Sequence, residues 1–370
     1  MFPYFWLLFI STVIPLIFCQ STRGVWVSGH SRVVLRRNKV TILLFFIGLF
    51  ILLALRDISV GRDLIEYKKI FERCAVLSFD RLQKLQWELG YTIYNKVITL
   101  VSEEYRFFLI VTAALILMPI YKLYSKETKY SFLLIVLFIN MPCFLMIFSG
   151  LRQALATSIG ILAFLALENK KYLLSAPLIL LAICFHTSAY VLLLLYPAFL
   201  FKLKTKHLLI VVPVMLLIYI YRIPLLKLMI SLSPERYEEF YSDIQETGAI
   251  GMMVLFLLFS VFSFAMLDEN AMTKRDFCLR NILLISTILQ FFVPIHELVQ
   301  RISYYFLIFV PIAIVSVVQA PKKWLKDISD MAVVAMCLFF VAYFFYNGAF
   351  SEDNLLDVFP YKFYWSAQTW

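Results

Sequence analysis

Long apolar runs separated by short polar ones set the pattern of this chain. They lie near residues 1–18, 40–55, 107–121, 131–148, 153–167, 172–185, 187–201, 208–221, 250–267, 279–295, 302–319 and 331–347, and none alternates with period two. Continuous runs of this length read as helices, not strands, and exclude a β-barrel, whose strands alternate. A helix needs about 20 apolar residues to cross a bilayer, fewer where the layer is locally thin. The pattern therefore predicts an all-α, polytopic integral membrane protein with about twelve transmembrane helices, a single membrane domain over residues 1–370. Tyr172 to Phe201 is apolar throughout and is read as two short helices turning near His186. Composition agrees: 62% of residues are hydrophobic, 16% are charged, and the mean hydropathy is +0.85. No soluble core buries that much apolar surface.

Charge sets the orientation. The segment Gln20 to Lys39 holds five basic residues and no acidic one, so it is assigned to the cytoplasm. Every second loop afterwards is basic too, at Lys122/Lys126/Lys129, Lys170/Lys171, Lys202/Lys204/Lys206, Lys274/Arg275/Arg280 and Lys322/Lys323/Lys326. The inner loops carry +12 and the outer ones −2, which accounts for the net +10 without invoking nucleic acid. Both termini are expected outside. The first run has no basic residue before it and no small-residue cleavage site, so it reads as a retained helix rather than a signal peptide. The six cysteines form no metal or disulfide spacing.

Two extracytoplasmic loops, about 56–106 and 222–249, are long enough to carry a site. In the first, Leu64, Tyr67, Ile70 and Phe71 fall on one face at helical spacing, which predicts an amphipathic helix on the membrane surface. In the second, Ser233 and Pro234 open another helix as N-cap and first residue.

This topology gathers Arg56, Asp63, Arg152, His186 and Arg301 on the outer side, which suits an anionic substrate there. Arg152, followed by Gln153, opens a helix and offers a fork of donors to a phosphate or carboxylate. The bland alternative is a snorkelling anchor. His186 suits proton transfer or a sugar hydroxyl, unless it is merely a satisfied turn residue. Asp63, sharing a helical face with Tyr67, is a candidate base for an acceptor hydroxyl, with Glu88 a second. A helix cap or an ion pair with Arg56 or Arg62 explains Asp63 equally well. Arg301, with Tyr304 and Tyr305 one turn on, suits a charged sugar, although an interfacial aromatic belt has the same composition.

Three motifs carry a resemblance. The chain resembles the EpsG/Wzy-type family of bacterial polysaccharide polymerases in the run Arg56…Gly61-Arg62-Asp63…Tyr67, similar to the family's Arg…Gly-Thr-Asp…Tyr. It does so again in Glu88-Leu89-Gly90-Tyr91. The most specific match is Arg152-Gln153-Ala154-Leu155-Ala156 with Phe185-His186-Thr187-Ser188 about thirty residues on. The match runs from about residue 40 to about 320, and the last fifty residues match only as apolar sequence. Arg62 departs from the family's small hydroxyl residue. The resemblance implies an O-antigen, capsule or exopolysaccharide polymerase in the bacterial cytoplasmic membrane. Such an enzyme moves a growing glycan from its polyprenyl diphosphate lipid onto the next lipid-linked repeat unit, at the extracytoplasmic face.

Arg56, Arg152 and Arg301 are then the expected partners of the diphosphate, and Asp63, His186 or Glu88 the base. Gln153, Tyr67 and Tyr304 are expected beside the substrate. No carboxylate pair stands at metal-ligand spacing in an outer loop, so no metal and no cofactor is expected. Membrane lipid and a chain-length regulator are the partners the resemblance implies. A flippase should show an internal repeat and buried cations, and a membrane acyltransferase a polar path from the inner side. A glycan ligase is separated from a polymerase only by the resemblance.

Overall fold

The computed structural model describes residues 1–18, 26–27, 30–126, 129–231, 250–350 and 355–368. The predicted N-cap at Ser233 and the outer loop around it lie outside the described residues. Helices dominate: α1 (Phe2–Phe18), α2 (Arg32–Ala54), α3 (Leu64–Val76), α4 (Leu89–Thr99), α5 (Tyr105–Tyr124), α6 (Ser131–Asn140), α7 (Pro142–Ser149), α8 (Leu151–Glu168) and α9 (Tyr172–Phe185). They are followed by α10 (Leu195–Leu200), α11 (Leu208–Ile220), α12 (Arg222–Ser231), α13 (Ile250–Met266), α14 (Lys274–Gln290), α15 (Glu297–Leu307), α16 (Val310–Gln319) and α17 (Lys326–Phe350). The one sheet among the described residues is a two-residue antiparallel pairing of Trp26–Val27 with His30–Ser31.

Four helical stretches, Arg37–Ala54, Tyr105–Tyr124, Leu151–Glu168 and Lys323–Phe350, are individually long and apolar enough to cross a membrane. Three bent pairs raise the count to as many as seven. The predicted run 131–148 is one of them, bent by 65° between α6 and α7. Pro142 stands at the start of α7, where its missing N–H costs nothing but the straight helix ends. The run 302–319 bends by 42° at the start of α16, where Pro311 sits. Thr187–Leu200 and Thr205–Ile220, expected as two crossings, form the third pair, folded at 119°. Phe2–Ile17, Tyr172–Phe185 and Ile250–Met266 are apolar but shorter.

The chain divides into two compact units, Met1–Leu192 with Val333–Trp370, and Leu193–Ala332. In the first, α8 is the most enclosed span, packed on α5 and α9. Its small residues explain this, because they let backbones approach where lipid offers no hydrophobic drive for association. Gly160 lies against Leu192, and Ser158 Oγ donates to the Ile116 carbonyl of α5 at 2.8 Å. The predicted amphipathic helix is α3, and the residues it buries are Leu64, Tyr67, Ile70, Phe71 and Cys74. In the second unit, Phe291, Ile295 and Val299 form a cluster with Leu226, Ile230 and Met253.

Candidate active site

The site grows from two places where the first unit's backbones touch. At Gly61 the chain leaves α2 with φ +116°, a conformation that side chains resist. A Cβ there would also sit 2.3 Å from the Phe148 carbonyl oxygen. Glycine therefore lets this turn press on the end of α7, where the Asp63 N–H reaches Ser149 Oγ at 3.3 Å. Asp63 takes the N-cap position of α3, yet its side chain makes no capping bond. Gly90 plays the matching part at the start of α4: a Cβ would lie 2.6 Å from the Cys184 carbonyl oxygen of α9. That contact brings the N-cap residue of α4, Glu88, to the C-cap residue of α9, His186.

Glu88 is the hub. Its Oε2 accepts a short charge-assisted bond from Arg152 Nη1. Its Oε1 meets His186 Nδ1 at 3.0 Å and accepts from Thr187 Oγ1 at 3.1 Å and Thr187 N at 3.4 Å. Burial would raise the Glu88 carboxyl, but the His186 bond and the charges of Arg152 and His186 outweigh it and hold it well below the usual carboxylate range. In the neutral tautomer that donates from Nδ1 to Glu88, His186 presents the Nε2 lone pair. The Arg152 guanidinium lies over the Trp87 ring at 4.1 Å, and its Nε has no hydrogen-bond partner among the described residues. Trp87 stacks on Tyr91 and meets Tyr67 edge-on. Tyr67 is buried, which raises its phenol, and it lies within electrostatic reach of both Arg152 and Asp63.

The structure thus brings together Glu88, Arg152, His186 and Tyr67, with Asp63 beside them. Gln153 is buried on the same helix as Arg152. Arg56 is set among aromatic side chains. It is 1% exposed, faces the Phe148 ring at 5.6 Å, and has no partner for Nε or Nη1 among the described residues. Burial pushes its guanidinium down to about 10 against the pull of Tyr105, Tyr361 and Tyr4. Arg301 and Tyr304 belong to the second unit, where α15 exposes Arg301 and buries Tyr304.

Comparison with known proteins settles the relationship. The EpsG family model matches residues 39–363. The chain belongs to the EpsG family. No curated protein and no solved structure matches it. EpsG membership makes it a membrane protein of polysaccharide biosynthesis, of a glycosyltransferase-like polymerase family. The EpsG match reaches residue 363, beyond residue 320 where the sequence reading saw only apolar character, and the segment 356–364 pairs with the Leu55–Arg62 stretch. Two contributors escaped the sequence: Trp87, next to a motif residue, and this C-terminal segment, which carries no motif, while Thr187 stood inside the third motif without a role.

Proposed function

We propose that this chain polymerises a bacterial surface glycan. It transfers the growing chain from polyprenyl diphosphate onto the next lipid-linked repeat unit at the outer face of the cytoplasmic membrane, without a metal. The orientation with both termini outside and about twelve membrane-embedded helices belongs to the same proposal. The observation that supports it best is Glu88 holding Arg152 with one oxygen and His186 with the other.

In this reading His186 Nε2 takes the proton from the acceptor hydroxyl as the oxygen attacks the anomeric carbon. The bond from that carbon to the phosphate oxygen breaks, and the diphosphate leaves with the electron pair. Arg152 meets the charge that develops there, and its preorganisation on Trp87 and Glu88 means nothing must reorder at that moment. Glu88 is too strongly held as a carboxylate to serve as the base and instead steadies the imidazolium. Asp63 binds the acceptor sugar beside it. A chain-length regulator is the expected protein partner.

The test is a gel of surface glycan from the native host carrying the wild type, a deletion, Arg152→Ala or His186→Gln. Single-repeat lipid in the deletion and in both variants supports polymerisation through this site. Loss of all surface glycan, with lipid-linked units accumulating inside, identifies a flippase and overturns the reading.

A further inference from the structure

The C-terminal segment does more than end the chain. Leu356 and Asp357 are consecutive non-glycine residues in the left-handed region, at φ 59° and φ 57°. That conformation is unfavourable for residues with side chains and persists only where surroundings enforce it. Here it aims two successive carbonyls at two successive amides: Gly61 N–H donates to Asp357 O and Arg62 N–H to Leu356 O, both at 3.0 Å. These are the two residues immediately before Asp63. Further along, Asp57 N–H donates to Lys362 O at 2.9 Å, Tyr364 N–H to Leu55 O at 3.1 Å, and Arg56 bridges Phe363 in antiparallel fashion. Tyr361 Oη donates to Leu52 O at 2.8 Å, and Tyr4 Oη to Val358 O at 3.3 Å.

One side-chain pair joins the two strands of this contact. Arg62 Nε lies 3.6 Å from Asp357 Oδ2, with the side chains 57% and 35% exposed. Arg62 is the residue at which the first motif departs from the family pattern. The departure has a partner on the far end of the chain.

We infer that the segment 356–364 is a positioning element of the site, holding the Gly61–Asp63 turn in place, and that Arg62 and Asp357 form its catch. The inference rests on the reading above for what Asp63 touches, but the geometry of the turn is measurable without it. A small hydroxyl at position 62 could not reach Asp357, so this chain fastens the turn by a charge pair of its own.

The experiment uses the full chain in native membranes. Maleimide labelling of Asp63→Cys, quantified at that position by peptide mass, reads how far the turn is held. Arg62→Asp and Asp357→Arg are introduced singly and together, and surface glycan is scored for the same substitutions in chains that retain Asp63. An exposed pair of this kind shifts an equilibrium by about fivefold at most, and reversing one charge adds a repulsion of similar size. Each single reversal is therefore expected to raise labelling about fivefold and to shorten the glycan. The double swap is expected to restore both. If labelling in both single variants stays at the wild-type rate, the catch does not exist and the inference is overturned, whatever the glycan shows. If labelling follows the pair while Asp63→Asn leaves the polymer intact, the positioning element stands and the assignment of Asp63 to the acceptor falls. A chain ending at residue 354 gives the larger effect where it folds.

Discussion

Two arginine–glutamate pairs, one in each unit, are assembled from the same parts. Glu88 accepts from the backbone N–H and hydroxyl of Thr187, and Glu269 from those of Thr205. Each arginine lies over an aromatic ring, Arg152 on Trp87 at 4.1 Å and Arg280 on Phe264 at 4.3 Å. The difference lies in access and in the third member. The Arg280 side chain is 1% exposed and also donates to the Leu203 carbonyl, so its pair fastens the stretch after α10 to α14. The Arg152 side chain is 25% exposed, and its glutamate also holds a histidine. A buried ion pair is thus no sign of chemistry by itself. An open guanidinium beside an imidazole is what the proposed transfer needs.

The sharpest way to break this comparison is to remove one member from each network. His186→Gln should lower polymer formation by about 10²- to 10⁴-fold, the usual worth of a positioned acid–base group, with the protein still folded. Arg280→Ala should leave activity per folded molecule unchanged and lower stability by about 2 kcal/mol, since it orphans the Leu203 carbonyl and leaves the Glu269 carboxylate only its Thr205 donors. Melting in detergent and glycan chain length, measured on the same preparations, separate the two outcomes. Loss of activity without loss of stability in Arg280→Ala would place the second network in the chemistry.

A smaller effect is expected from the glycine that makes the first network possible. Gly90→Ala forces a Cβ to within 2.6 Å of the Cys184 carbonyl, so α4 must shift away from α9 and carry Glu88 from His186. A displacement of this kind costs about 10²-fold in rate. Gly251, near the start of α13, meets nothing within 4 Å, and its replacement by alanine should change stability by no more than about 0.5 kcal/mol. Equal effects of the two alanines on glycan length would mean that the α4–α9 approach does not set the site.

The sequence exposed the parts of this arrangement that local pattern encodes. The buried face of α3 follows from the spacing of Leu64, Tyr67, Ile70 and Phe71, and the turn at Gly61 from the one residue that tolerates its φ. Arg152 and His186 stood out as polar residues at the ends of apolar runs. What stayed hidden was pairing. Glu88 stood beside Asp63 as one candidate base and not as a hub, because nothing local says that a loop carboxylate 64 residues before Arg152 and 98 before His186 meets both. The C-terminal segment was invisible for the same reason, since its contacts to the Gly61 turn are made by backbone carbonyls, which no side-chain motif records. The count of crossings differs, about twelve expected against four to seven by length and apolar character. Phe2–Ile17, Tyr172–Phe185 and Ile250–Met266 are apolar but short, and two expected crossings form the one bent pair Thr187–Leu200 with Thr205–Ile220.

An effect on stability alone concerns pH and applies to both networks. Burial favours the neutral acid in Glu88, but the His186 bond and the Arg152 charge prevail, so its folded pKa lies below its unfolded one. Glu269 follows the same sign: burial raises it, and the Thr205 donors and Arg280 lower it further. A carboxyl depressed by folding contributes stability above its unfolded pKa of about 4.3 and loses that contribution as pH falls toward the folded value. The melting difference between wild type and Glu88→Gln should therefore be full from pH 8 to pH 5, at about 2 kcal/mol, and close progressively below pH ~4.3. Glu269→Gln should show the same window with a smaller gap, because its carboxyl is held less far down. Melting of the three proteins in detergent across that range is the measurement. A Glu88 difference that is already absent at pH 7 would mean that the carboxylate is not held ionised, and His186 would then lose the partner that fixes its proton on Nδ1.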